Sequence, residues 1–223
     1  MYRQNKFKNK QAFFKTNRTL LVSFGVALIC LFSSFLFPAQ NSAQLITRNL
    51  FFLVFLPIAY IKLILGKSLA DFGWNLRNQK TALRWSLLIS LFTLLLFYLM
   101  PNYTAFKTSY VLGDYVRNNF WFFLFYELLL VNFSVFIFCA FFQGFLLSLL
   151  QEKTAHFAIA IQTGVFLAAL FLTKALSWQT APFVLLSITG GFLAWKTKSF
   201  FYSYFMSVFA IIILDAYFIY LTK

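Results

Sequence analysis

The feature that most constrains this chain is a succession of unbroken apolar runs, most of them close to 20 residues long, set between short polar and basic segments. A helix needs about 20 apolar residues to cross roughly 30 Å of hydrocarbon. It also satisfies its own backbone hydrogen bonds, which lipid does not do for it. A transmembrane barrel would instead alternate apolar and polar residues in segments of about ten. The runs fall at 19–38, 49–66, 84–100, 120–150, 157–173, 182–195 and 200–222. The expected fold class is therefore all-α, a polytopic membrane helical bundle of about seven transmembrane helices, with six and eight as the bounds. The open point is 120–150, about 46 Å long as a single helix, which must tilt, protrude or break in two.

Composition points the same way. Hydrophobic residues make up 61% of the chain and charged residues 11%, where a soluble domain carries about 25% charged. Mean hydropathy is +0.78. The net charge of +14 would suggest nucleic acid in a soluble protein. Here the basic residues flank apolar runs, so they read as topology signals and as contacts to anionic lipid head groups at the cytoplasmic face, with no nucleic-acid partner. With the N-terminus inside, fourteen of the 19 Lys and Arg fall on the cytoplasmic side and five, namely Arg48, Lys107, Arg117, Lys174 and Lys223, fall outside. That split predicts a multi-pass cell-membrane protein with a cytoplasmic N-terminus and an extracytoplasmic C-terminus. Residues 1–18, running through Arg3, Lys6, Lys8, Lys10, Lys15 and Arg18, form a basic cytoplasmic segment, and 19–222 form one transmembrane domain.

Local signals refine the picture. Pro57 predicts a kink in the second span and Pro101 a stop to the third, followed by the longest loop, 101–119, on the outer side. Residues 67–84, "KSLADFGWNLRNQKTALR", read as a surface-lying segment with Trp74 at head-group level. Trp85, Trp195 and Trp121 stand at span ends, as interfacial anchors do. Gly190-Gly191 permits close helix approach or a local break. Cys30 and Cys139 lie inside apolar runs, and His156 is the sole histidine, so neither a disulfide framework nor a Cys/His metal cluster is expected.

Only five acidic residues exist, and two of them, Glu127 and Asp215, sit inside apolar runs. Each lies about seven residues from the outer end of its helix, roughly 10 Å deep. Intramembrane carboxyls face a partner or a watery cavity. Two readings stay open: a binding pocket under the outer face made by Glu127, Asp215 and Lys174, or a structural role with each acid protonated or bonded to a hydroxyl such as Tyr126 or Tyr217. Asn132 reads as interhelical glue.

From Gly144 onward, "FCAFFQGFLLSLLQEK" at 138–153 resembles the first motif of the CPBP family, also called Abi or CAAX-protease-like, which reads roughly E-E-x-x-F-R-G-F-L. Phe138 and Cys139 stand at the two glutamate positions and Gln143 at the arginine. "FLAAL" at 166–170 puts Leu170 where the second motif has histidine. In "GGFLAWKTKSFFYSYFMSVFAII", Ser207 stands at the histidine of the third motif and Ile211 at its Asn or Asp. "KSLADFGW" is similar to the segment that often precedes the family core, here about 120–222. The resemblance implies an intramembrane metalloprotease fold, or that of a non-catalytic relative. The residues at the motif positions include no metal ligand set and no base for activating water. Cys139 has no neighbouring base in its helix to make it a nucleophile.

The leading expectation is thus a pseudoenzyme without cofactor or metal. It binds and scaffolds or regulates another membrane or cell-envelope protein in a bacterial envelope, with bacteriocin self-immunity among the roles the resemblance implies. The alternative is an active intramembrane peptidase with an atypical site using Glu127, Asp215 and water. A third is a transport component lined by Gln162, Thr163, Ser187 and Thr189.

Overall fold

The computed structural model describes residues 2–76, 79–103 and 105–222, with side chains from Arg18 on and that of Tyr103 excepted. Most of the basic N-terminal side chains, together with Arg77 and Lys223, lie outside the described residues. The chain is all-helical over the described residues. Seven long helices follow one another: α1 (Tyr2–Leu36), α2 (Ser42–Ile64), α3 (Gln79–Tyr103), α4 (Phe120–Thr154), α5 (Phe157–Leu172), α6 (Ala181–Thr197) and α7 (Phe200–Thr222). Five are long and apolar enough to cross a membrane: α1 from Arg18, α2, α3, α4 and α7. The two others are shorter, with 16 residues in α5 and 17 in α6. At 1.5 Å per residue each reaches roughly 25 Å, a little less than the hydrocarbon core.

The 120–150 run does not break. It is one helix of 35 residues, α4, and 83% of its most apolar window is buried inside the protein, against 17% for α3. α4 is therefore the central post. α1 and α2 pack together beside it, α6 and α7 pair on another side with α3 laid across both, and α5 fills the space between α4 and α6. α4 stays continuous by widening: Tyr126–Val131 and Cys139–Leu146 are π-helical turns with i→i+5 bonding. α2 contains two such turns, Phe51–Phe55 and Tyr60–Ile64, on either side of Pro57, which has no N–H to give to a regular ladder. Pro101 does not end α3 but sits in its last turn, before Tyr103.

Two connecting segments pack against the bundle through a few buried side chains. Residues 67–76 form a capped 3₁₀ turn, Leu69–Phe72, with the Ser68 side chain at its start and Gly73 at φ +80° at its end. The segment docks on the α6–α7 turn. The Phe200 amide donates to the Gly73 carbonyl (3.1 Å), Asn75 donates to the Lys198 carbonyl (3.0 Å), and Ser199 donates to the Asn75 carbonyl. Trp74 packs edge-on against Phe200, 4.9 Å between ring centroids, and Phe136, 6.1 Å. A Cβ on Gly144 would stand 3.2 Å from the Phe200 ring and 3.4 Å from the Phe72 carbonyl. The glycine that opens the motif-like stretch is the place where α4, this segment and α7 meet.

The α3–α4 connection is the second such segment. It carries two helical turns, Phe106–Ser109 and Asp114–Asn118, and buries Phe106, Tyr110 and Leu112. Phe106 stacks on Tyr110 (4.4 Å), and both rings meet Phe218 of α7 edge-on. Gln179 in the α5–α6 turn accepts from the Val111 amide (2.9 Å) and donates to its carbonyl (3.2 Å). The connection therefore lies as a cap over one end of the bundle.

Candidate functional site

The residues at the motif-like positions come together around the middle of α4, but on two of its faces. On one face Phe138 and Phe142 meet Phe166 of α5 at 5.0 and 5.1 Å, and Phe138 also meets Phe183 of α6 at 5.7 Å. Phe138 and Leu170 line a common cavity of about 240 Å³ with Leu31, Leu53 and Ile137 on its walls. Phe138 and Leu170 are two apolar side chains in a largely apolar pocket. These groups bring no lone pair to a metal and no proton to a reaction.

On the other face Gln143 ties α4 to α6 and α7. Its amide donates to the Leu186 carbonyl (3.1 Å) and its oxygen accepts from Ser203 (2.5 Å). The helices are this close because residue 190 is glycine: a Cβ there would collide with the Ser203 hydroxyl and the Gln143 amide. One layer over, Ser187 donates to Thr163 (3.1 Å) and Gln162 reaches the Ser187 carbonyl (3.5 Å). The polar residues considered as a transport lining thus bond mainly to one another and to backbone. Cys139 is wholly buried, with its thiol beside the Ser207 hydroxyl of α7. Ile211, one turn further on, is core. Cys139 and Ser207 therefore meet, whereas Leu170 belongs to the cavity on the other side of α4. The Asn132 side chain accepts from the Tyr204 hydroxyl, joining α4 to α7 as interhelical glue.

A second polar cluster lies nearer the capped end. Glu127 of α4 and Asp215 of α7 are each 1% exposed, and their carboxyls face one another within hydrogen-bonding reach. Asp215 accepts from the Tyr110 hydroxyl of the cap at 2.5 Å. Among the described residues no N–H or O–H group reaches either Glu127 oxygen. Burial first, and the Asp215 carboxyl second, hold the Tyr110 phenol well above its usual range, so it stays a donor. The hydroxyl serving the acids is thus Tyr110, which sequence reasoning missed because it placed 101–119 in an open loop. Tyr217 pairs with Asn102 (3.5 Å) and stacks by Tyr98. Lys174 is brought to neither acid: it is exposed in the α5–α6 turn at φ +54° and forms no ion pair with either acid. The one ion pair among the described residues, Lys67–Glu152 at 3.2 Å, is at the opposite end.

That opposite end is aromatic and basic. Lys196 stands over Trp195 (4.8 Å) and Trp85 (5.2 Å), His156 meets Trp195 edge-on (5.1 Å), and Lys198 donates to Gln151 (2.8 Å). Exposed His156 is in the α4–α5 turn, far along α4 from the acids. Among the described residues no group of three or more His, Cys, Asp or Glu gathers as a metal site. No family model matches the chain, and neither does any curated protein or solved structure.

Proposed function

We propose that this chain is a non-catalytic membrane protein with a CPBP-like core that binds and scaffolds or regulates a second membrane or cell-envelope protein. The observation that carries this reading is the shared apolar cavity of Phe138 and Leu170. Phe138 and Leu170, two of the motif-like positions, line it together from α4 and α5, while Cys139 and Gln143 turn to α7 on the other face; the chemistry of the cavity is that of a binding surface. Recognition in lipid rests on shape and on small polar contacts between helices, and this cavity offers the first. The charge distribution supports a cytoplasmic N-terminus and an extracytoplasmic C-terminus, with the capped end outside and the Lys196 aromatic cluster inside.

The test is co-purification from native membranes in mild detergent, with Leu170→Trp as the paired variant that fills the cavity. A single stoichiometric partner retained by the natural chain and lost by Leu170→Trp supports the reading. A chain that purifies alone under both conditions overturns it. Reporter fusions at each terminus test the orientation.

The contact between Glu127 and Asp215 favours a second reading, a peptidase using these two carboxyls and water. Both are 1% exposed and lie under the Tyr110 cap, so substrate would have to displace that cap. An unchanged phenotype in both Glu127→Ala and Asp215→Ala would end it.

A further inference from the structure

We propose that Glu127 and Asp215 form a binding site for one proton, and that this proton latches the cap of residues 105–113 onto the bundle. Three observations lead there. The two carboxyls come from different helices, face one another, and are almost wholly buried. Among the described residues no cation is within ion-pairing distance of either. Both Glu127 oxygens lack a donor from any other described group, and a proton carried by the carboxyls themselves supplies one. Two bare carboxylates in contact in apolar surroundings repel one another, and the single Tyr110 hydroxyl on Asp215 leaves Glu127 without compensation. One shared proton turns that repulsion into an O–H···O hydrogen bond between α4 and α7.

The groups that face the pair are few. From the cap comes Tyr110, which donates to Asp215. From α4 comes Tyr126, close enough to sense both acids. Arg117, a basic residue at this end, is committed to the Thr222 carbonyl at the C-terminus of α7 (3.3 Å). With the proton present, Asp215 holds a fixed position and accepts from Tyr110, which with Phe106 and Leu112 seats the cap. Loss of the proton to solvent leaves two like charges on facing helices, and Asp215 moves away from Glu127 and takes the Tyr110 anchor with it. The cap is thus closed when the site is loaded and loosened when it is empty. This role does not depend on the scaffolding function.

Hydrogen exchange followed by mass spectrometry on the full chain in lipid nanodiscs reads the cap directly, with protection factors corrected for the intrinsic pH dependence of exchange. Protection of 105–113 in the natural chain is expected to fall about fivefold or more from acid to alkaline pH, the low end of coupling between sites, while protection of α6 stays constant. Glu127→Gln, whose amide donates to Asp215 without titrating, is expected to keep the cap protected across the whole range. A natural chain whose cap protection is flat with pH overturns the proposal, as does a Glu127→Gln cap that loosens with pH like the natural one. Should Glu127→Gln fail to fold, Tyr110→Phe decides. It keeps the ring packing and removes the donor, and is expected to give at acid pH the protection that the natural chain has at alkaline pH. An unchanged Tyr110→Phe cap overturns the proposal equally.

Discussion

Two buried polar regions sit on the same helix and are satisfied in opposite ways. Gln143 has its amide on the Leu186 carbonyl and its oxygen on the Ser203 hydroxyl. Glu127, sixteen residues earlier in α4, has no such donor on either oxygen and only another carboxyl in front of it. A carboxamide carries both donors and acceptors, so carbonyls and hydroxyls already in the bundle complete it. A carboxyl is an acceptor only until it takes up a proton. The first region therefore fixes helix packing under all conditions, and the second makes packing depend on a proton. The difference locates the rigid part of the molecule at the α4–α6–α7 crossing and the adjustable part beneath the cap.

The largest effect is expected from breaking the rigid region where it is tightest. Gly190→Leu drives a side chain into Gln143 and Ser203 and should cost about 3 kcal/mol, read as a lowered unfolding temperature by circular dichroism in detergent. Pairing it with Gln143→Ala should recover part of that loss, because the two changes share one space. Gly73→Ala comes next, at about 2 kcal/mol. The new methyl would hold a left-handed backbone and stand 3.2 Å from the Phe200 amide nitrogen, so Trp74 fluorescence should report its loosened packing. Gln143→Leu deletes two interhelical bonds for about 1 kcal/mol, and the loss should be the same at every pH. That last point sharpens the contrast, since Glu127→Gln should leave stability unchanged in acid and raise it relative to the natural chain in alkali. The sign follows from the proton: the natural pair stabilises while protonated and repels once it is not. The smallest effect belongs to Lys67→Ala, which removes a half-exposed ion pair with Glu152 and should change stability by about 0.3 kcal/mol, less at high salt.

Much of the helical layout was legible from apolar run length. The runs at 157–173, 182–195 and 200–222 match α5, α6 and α7 within two residues at each end. α2 begins seven residues earlier than its apolar run, at Ser42, because its first turns are amphipathic and capped by Asn41, which accepts from the Gln44 amide. The common depth of Glu127 and Asp215 followed from counting residues, but their contact did not. It needed α4 and α7 to be neighbours with those faces turned inward. The π turns are a further reason. A wide turn at Cys139–Leu146 changes which side chains share a face, so a 3.6-residue period does not carry through it. The ring contacts of Tyr110 and Trp74 were not legible for one shared reason: polar neighbours in sequence mark their segments as surface, while their own rings have apolar partners far along the chain.

The sequence by itself determined that this chain is a bundle of apolar helices, because no other backbone arrangement of such runs satisfies its hydrogen bonds in lipid. It also put two carboxyls inside apolar runs and set which side chains stand at the motif-like positions. Only the tertiary structure decided that Phe138 and Leu170 share an apolar cavity while Cys139 and Gln143 turn to α7, that the two carboxyls face one another, and that a loop closes over them. The physical reason is that burial and hydrogen bonding in a helix are local and can be read along the chain. Which faces meet depends instead on glycines, wide turns and distant aromatic partners acting together in space.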